Sequence, residues 1–316
     1  MEHTKIDCGQ LRHQARADMG QAHPSFWIVA LVYVLLTTGV NYLLSALPIP
    51  GGETGFLSAT LFLVIFFFFY HTVVDFGFHL WALWTTRHLD PGLGALVQGF
   101  SVAGRVLLME LMILARMVGW VICLTFFFGF VVMLLPPILV LVGLGAVYAA
   151  VWILMLRYAL APYLLADRPD DGAGAAVRRS ISLTQGWKWD LFRLELSFLG
   201  WWVLRLLLSL LVLIFCLWQG GFFQSLTDLS PGQLPEVAFG YLLWQNGFSP
   251  DLLGLSLDYT QLYSLFYSIS NSLSTTLLTD VITLPLMLWL LPYRRTAHAG
   301  FYCERLRYQQ EIAPPL

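Results

Sequence analysis

Long runs of apolar residues, separated by short polar segments, dominate the pattern along this chain. A helix needs about 20 apolar residues to cross a bilayer. The pattern predicts spans at residues 26–47, 56–84, 191–217 and 262–291. The apolar block 105–165 is too long for one span, and Pro136 and Pro137 divide it into two that each suffice. The prediction is an all-α polytopic membrane bundle of six transmembrane helices. A membrane barrel would instead show segments of about 10 residues with alternating polarity.

The composition supports a bilayer as the main solvent. Of the 316 residues 58% are hydrophobic and 11% are charged, whereas soluble domains carry roughly 25% charged residues. The net charge of -2 and the lack of a basic domain argue against nucleic-acid binding. Cys8, Cys123, Cys216 and Cys303 form no CxxC pair, so neither a disulfide framework nor a zinc ribbon is expected.

The Lys and Arg residues predict the orientation of the spans. The loops 48–55 and 219–261 and the turn at Pro136 contain no Lys or Arg, while the alternate segments are basic. By the positive-inside rule, both termini are expected in the cytoplasm. The predicted domains are an N-terminal segment 1–25, a membrane domain 26–291 and a C-terminal tail 292–316. The acidic outer loop 219–261 is expected to carry an interfacial helix, which serves as a lid or partner surface or only as interfacial padding.

Ionisable residues within the predicted spans are the first candidates for chemistry. Each costs about 2.5–3.5 kcal/mol at the bilayer centre, so they seldom face lipid. They are expected to form one polar layer, either structural and mutually paired or functional as an ion or proton pathway. The layer comprises His71, Asp75, His79, Glu110, Arg116, Arg157, Glu195, Arg205 and Asp280.

His71, Asp75 and His79 recur every four residues and therefore lie on one helix face. Two imidazoles and a carboxylate suit a divalent transition metal, or a proton relay. At 1.5 Å per residue, positions i and i+8 lie about 12 Å apart, so one ion cannot reach both histidines on a straight helix. One ion is reached more easily by two neighbouring members of this set, four residues apart, together with Glu110 from the next span. The metal hypothesis is accordingly weak, and no cofactor is expected.

A basic and aromatic segment, residues 175–189, precedes the fifth span. Such cations hold anionic headgroups at about 1 kcal/mol each, and tryptophans anchor the interface. With the arginines that follow the last span, this segment is predicted to form a cytoplasmic collar that binds lipid headgroups or a partner, or that only sets topology. The collar comprises Arg178, Arg179, Trp187, Lys188, Trp189, Arg294 and Arg295.

Three motifs in the second half of the chain resemble a bacterial membrane family catalogued as domain of unknown function nine-seven-five. The first motif is Ala176, Ser180, Gly186, Lys188, Trp189, Leu191, Phe192, Leu194, Leu196, Ser197, Phe198, Gly200 and Trp201. The second is Pro292, Tyr293, Thr296, Ala299, Phe301, Tyr302 and Glu304, and the third is Tyr163, Leu165, Asp167 and Pro169. The resemblance implies a multi-pass protein of the bacterial inner membrane with no established activity. His71, Asp75 and His79 lie outside these motifs.

The sequence lacks the signatures of common soluble enzymes, including GxxxxGK[ST], HExxH and GxSxG. The expected function is therefore a non-enzymatic accessory or regulatory protein that binds membrane lipids or a membrane-protein partner. The alternative is a small transporter or channel that uses the polar layer. A metal-dependent intramembrane enzyme is the third hypothesis.

Overall fold

The computed structural model describes residues 6–45, 53–132, 137–227 and 259–312, and within these ranges every regular element is helical. The all-α fold class is thereby confirmed. The helices are α1 Cys8–Gln21, α2 Phe26–Val34, α3 Val40–Ser45, α4 Glu53–Thr86, α5 Gly94–Gln98, α6 Ala103–Val132, α7 Pro137–Met155, α8 Ala161–Asp167, α9 Gly172–Thr184, α10 Lys188–Leu196, α11 Leu199–Gln219, α12 Phe222–Thr227, α13 Tyr259–Ser270 and α14 Leu273–Ile312.

Among the described residues, five helical segments are long and apolar enough to cross a membrane. They are Phe26–Leu44, Thr60–Thr86, Gly94–Gly129, Lys188–Gln219 and Leu273–Gln310. Each overlaps a predicted span. The predicted fourth span coincides with α7, of which Gly145–Met155 is found as a shorter apolar helix. The proposed breaker Pro136 lies outside the described residues, and so does the part 228–258 of the predicted acidic loop.

The chain forms two compact units, of which the first comprises Met1–Phe198 with Leu288–Leu316. Its interior is filled by large side chains that are almost completely buried, namely Phe78, Trp81, Leu160, Tyr163, Leu165, Phe198, Phe301 and Tyr302. Burying one such side chain stabilises the fold by about 1.5–3 kcal/mol. This core surrounds the charged residues described below.

Two glycines allow α4 to approach the segment that starts with α5. A Cβ atom at Gly77 would lie 2.7 Å from the carbonyl carbon of Leu96, and one at Gly99 would lie 2.5 Å from the carbonyl oxygen of Val73. No side chain fits at such distances, so glycine is required at both positions. The close packing holds the C-terminal half of α4, which carries Asp75 and His79, against its neighbour.

The last helix continues beyond the end of the predicted sixth span. The sequence predicts the end of that span at residue 291 and a tail at 292–316, and α14 runs through this boundary to Ile312. Tyr293, Ala297 and Phe301 are buried in the first unit, and packing of this face outweighs the hydrogen bond that Pro292 cannot donate. Helix α1, in the predicted N-terminal segment, also packs here, and Arg16 Nε donates to Tyr293 Oη at 3.2 Å.

The second unit comprises Leu199–Met287. Within it α11 and α12 pack against α13, and the rings of Phe222 and Phe266 lie 5.7 Å apart. Arg205 in α11 lies over the ring of Trp202, with 5.6 Å between the guanidinium carbon and the ring centroid.

Candidate functional site

A buried ion pair links α4 to α14 in the first unit. Arg295 Nη2 donates to Asp75 Oδ1 at 2.7 Å, and the phenolic hydroxyl of Tyr33 donates to the same oxygen at 2.9 Å. Less than a quarter of either charged side chain is exposed. Charge-assisted hydrogen bonds of this kind are about twice as strong as neutral ones, and here they compensate for taking both charges out of water.

His79 lies beside the Asp75–Arg295 ion pair, and its contacts fit a neutral imidazole. Its Nδ1 lies 2.8 Å from the carbonyl oxygen of Asp75, which only accepts, so Nδ1 carries the ring proton. Its Nε2 contacts Arg295 Nη1, which only donates, so Nε2 is the acceptor. The tautomer of His79 is therefore set by one acceptor and one donor on opposite sides of the ring.

A second buried ion pair links α10 to α14. Arg294 Nη2 donates to Glu195 Oε1 at 2.6 Å, and Arg294 Nε donates to Oε2 at 3.0 Å. This bidentate arrangement matches the fork of the guanidinium to both carboxylate oxygens. His298 Nε2 also lies 3.0 Å from Glu195 Oε1.

His298 differs from His79 because both of its ring nitrogens face acceptors. Nδ1 lies 2.7 Å from the carbonyl oxygen of Arg294, while Nε2 faces the Glu195 carboxylate. His298 Nε2 makes no hydrogen bond despite this short separation, whereas His79 Nε2 contacts a guanidinium donor. The two histidines of the cluster thus have different hydrogen-bonding roles.

The two ion pairs border a cavity of about 260 Å³ within the first unit. Its charged lining consists of Asp75, His79, Glu110, Glu195, Arg294, Arg295 and His298. Glu110 of α6 makes no hydrogen bond or ion pair with any part of the chain that the structure describes. It is therefore the carboxylate of this set with capacity left for a ligand.

The rest of the cavity wall is apolar and reaches the surface. Ile113, Trp152, Met155 and Leu156 line it, and Trp152 and Met155 are 38% and 52% exposed. A charged floor beside an exposed apolar rim matches an amphipathic ligand, because a polar head and an apolar chain each find a compatible surface.

The predicted polar layer is only partly one cluster. Asp75, His79, Glu110 and Glu195 meet around the cavity, whereas His71 lies apart beside Phe67, with 5.9 Å between the ring centroids. Two arginines have a buried nitrogen without a hydrogen-bond partner, Arg116 at Nη1 and Arg157 at Nε. Arg205 and Asp280 belong to the second unit.

The described residues contain no group of three or more His, Cys, Asp and Glu side chains arranged to hold a metal ion. Of the weak metal candidates, Asp75 and His79 are engaged by Arg295. A metal would have to displace that guanidinium. The positions of these residues therefore favour an ion-pair cluster over a metal centre.

The residues of the predicted collar have different surroundings in the structure. Arg294 and Arg295 form ion pairs with Glu195 and Asp75 at the charged cavity and are half-buried. Trp187 is buried under Arg305, whose guanidinium carbon lies 4.3 Å from its ring centroid. The remaining collar residues keep access to the surface. Arg178 and Arg179 are exposed, Lys188 is half-buried and Trp189 is 60% exposed.

Sequence reasoning missed three members of the site, namely Tyr33, Tyr163 and His298. Tyr163 Oη donates to the carbonyl oxygen of Arg295 at 2.8 Å, and its ring meets His79 edge-on at 5.0 Å. The spacing of Arg294 and His298 by four residues was the available signal, because it places both on one helix face. This signal was not used because the predicted last span ends at residue 291 and His298 falls in the predicted tail.

A smaller ion-paired group lies at the end of α4, and its charged members Arg87 and Asp167 are outside the candidate membrane-crossing segments. Arg87 Nη1 donates to Asp167 Oδ1 at 2.6 Å, and Tyr302 Oη donates to Asp167 Oδ2 at 3.0 Å. Burial alone would raise the pKa of Asp167, but these two hydrogen bonds and the charge of Arg87 lower that pKa overall. The hydrogen bond to Asp167 likewise raises the pKa of Arg87.

A family model described as "Protein of unknown function (DUF975)" matches residues 4–309. No curated protein and no solved structure matches the chain. The match begins before α1 and ends within α14, and it includes every residue that lines the charged cavity.

Proposed function

The chain belongs to the DUF975 family of proteins of unknown function, and on that premise we propose that it is a non-enzymatic multi-pass membrane protein that binds a membrane lipid in its charged cavity. It acts as an accessory or regulatory component of the bacterial inner membrane, with both termini in the cytoplasm. The observation that carries the proposal is a charged cavity whose apolar rim is exposed. Five helices of membrane-crossing length are compatible with it.

The cavity chemistry supports a lipid headgroup as the polar part of the ligand. Arg294 and Arg295 each carry N–H groups beyond those used in their ion pairs, and these groups can donate to a phosphate. Glu110 offers an acceptor to an amine or hydroxyl. The acyl chains would lie along Trp152 and Met155. The exposed residues Arg178 and Arg179 and the half-buried Lys188 lie in the segment that we expect at the cytoplasmic headgroups. Each cation near such a surface contributes about 1 kcal/mol.

Native mass spectrometry with a cavity-filling variant tests this proposal. Ala159 lines the cavity and contributes to neither ion pair, so Ala159→Leu fills the space without removing a charge. Ala115→Leu on α6 is the matched control, because Ala115 is exposed and is not part of the cavity lining. The purified wild type and the control should retain a lipid that Ala159→Leu loses. Equal lipid retention in all three proteins would contradict the proposal.

A proton or ion transporter is the second candidate, favoured by one observation. Glu110 lines the cavity without a partner in the described chain, and the Glu195 carboxylate and the His298 imidazole line the same cavity. An ionisable group in a membrane cavity is a natural relay member.

Proteoliposomes that contain a pH-sensitive dye separate the two candidates. Lipid binding without transport predicts no proton flux above that of empty liposomes for the wild type or for Glu110→Gln. Flux through the wild type that Glu110→Gln or Asp75→Asn abolishes would establish transport and displace the lipid-binding proposal.

A further inference from the structure

A second cavity, of about 430 Å³, lies in the first unit between α1, the end of α4 and the C-terminal part of α14. It shares no lining residue with the charged cavity described above. Its wall includes Asp18 from α1, His88 after α4, and Thr296 and Glu304 from α14. Nothing in the proposed lipid binding uses these residues.

Asp18 is a buried carboxylate without a hydrogen-bond donor among the described residues. Its side chain is 8% exposed, and the nearest charged group is His88 Nε2 at 3.9 Å, beyond hydrogen-bond distance. Burial raises the pKa of Asp18, opposed only by the weaker attraction of His88. A buried carboxylate in this condition lowers stability unless a donor reaches it.

A second polar group of the same cavity also lacks a partner. Thr296 is fully buried, and its Oγ1 makes no hydrogen bond. Most buried side-chain hydroxyls find a partner, so an unsatisfied hydroxyl and an unsatisfied carboxylate in the wall of one cavity point to a ligand site. Together the two oxygens provide acceptors and one hydroxyl donor.

The other charges around the cavity already have partners. Arg87 is paired with Asp167 at 2.6 Å, and Arg307 is paired with Glu304 at 2.9 Å. The charged group of the cavity wall that still lacks a hydrogen-bond partner among the described residues is therefore an acid, Asp18. An anion would find no unpaired cation except the exposed His88, whereas a cationic donor would complete Asp18.

We propose that this cavity binds a small organic cation through an ammonium group that donates to Asp18 and to Thr296 Oγ1. An alkylammonium is favoured over a bare metal ion because the described residues contain no cluster of metal ligands. Three N–H donors on one nitrogen also match two acceptors in the wall and one more at the rim, where the exposed amides of Gln14 and Gln310 lie.

Thermal unfolding and calorimetry of the full chain in lipid nanodiscs test the site. The probe is 1,4-diaminobutane, and the neutral comparison compound is 1,4-butanediol. Asp18→Asn is the test variant, and Asp170→Asn is the matched control because Asp170 is exposed and is not part of the cavity. The diamine should raise the Tm of the wild type and of the control. Asp18→Asn should weaken diamine binding at least about tenfold, since it removes a charge-assisted hydrogen bond.

The unliganded variants distinguish this proposal from a structural role. If Asp18 awaits a ligand, Asp18→Asn should be at least as stable as the wild type without diamine. A lower Tm for unliganded Asp18→Asn, or a diamine effect no larger than that of the diol, would overturn the proposal. Thr296→Val is a second, nearly isosteric variant. It should fold normally and bind the diamine more weakly, and unchanged binding would remove Thr296 from the site.

Discussion

At the scale of single residues, the Asp75–Arg295 pair holds half of the charged cluster in place. Each partner is mostly buried, and Arg295 also supports His79 and accepts a hydrogen bond from Tyr163 on its backbone. Removing one charge of a buried pair leaves the other uncompensated, which is far more costly than the pair itself is stabilising.

Asp75→Asn should therefore lower the free energy of unfolding by about 3 kcal/mol. Asp170→Asn is the control, since its partner Arg105 and its own side chain are exposed, Asp170 at 95%, and exposed pairs contribute little. Denaturation in mixed micelles measures both. Equal stability of the two variants would show that the Asp75 pair is not buried as described.

Asp167 gives a pH-dependent prediction outside the membrane-crossing segments. Its pKa in the folded protein lies below the ordinary value of 3.8, so the folded state favours the ionised form. The stabilisation is then present above about pH 4 and is lost as the pH falls through the folded pKa. The stability difference between the wild type and Asp167→Asn should be largest near pH 7 and should shrink below pH 4. A difference that grows on acidification would contradict the Arg87 and Tyr302 contacts.

The sequence identified the acids of the site but not all of their partners. Asp75, Glu110 and Glu195 stand out because an ionisable residue in an apolar run is costly and therefore conspicuous. Arg294 and Arg295 were placed in the collar, since basic residues after a span usually lie at the cytoplasmic interface. Whether such an arginine faces headgroups or folds inward depends on tertiary packing, which hydropathy does not encode.

At the scale of the elements, the glycine contact between α4 and the α5 segment positions the helix that carries Asp75. Gly77→Ala places a Cβ against the Leu96 carbonyl and should cost about 1–3 kcal/mol through overpacking. Gly104→Ala in α6 is the matched change, because nothing lies within 4 Å of the added atom. It should be neutral or stabilising by up to about 1 kcal/mol. Thermal unfolding of both variants checks the contrast, and similar losses for both would argue against the close approach.

Hydropathy predicted the positions of the long helices because a run of about 20 apolar residues has few alternatives in a bilayer. It predicts where the last apolar run ends, at residue 291, but not that α14 continues through Pro292 into polar sequence. Tyr293, Ala297 and Phe301 are buried by contacts with other elements of the first unit, and a sequence pattern does not reveal those contacts. The six-span count stays a prediction, as residues near Pro136 lie outside the described chain.

At the scale of the whole molecule, the distribution of Lys and Arg predicts that both termini face the cytoplasm. Fusions of a fluorescent protein to either end should therefore fluoresce, and fusions of alkaline phosphatase to either end should be inactive. The same phosphatase inserted into the 219–261 loop should be active. Phosphatase activity at one terminus alone would require an odd number of spans.

Lipid binding in the charged cavity of the first unit is best tested by an experimental density map of the protein in lipid nanodiscs. We expect headgroup density bounded by Glu110, Arg294 and His298, continuous with chain density along Trp152 and Met155, and absent in Ala159→Leu. A cavity that contains only water, or that is closed and dry in the wild type, would contradict lipid binding at this site.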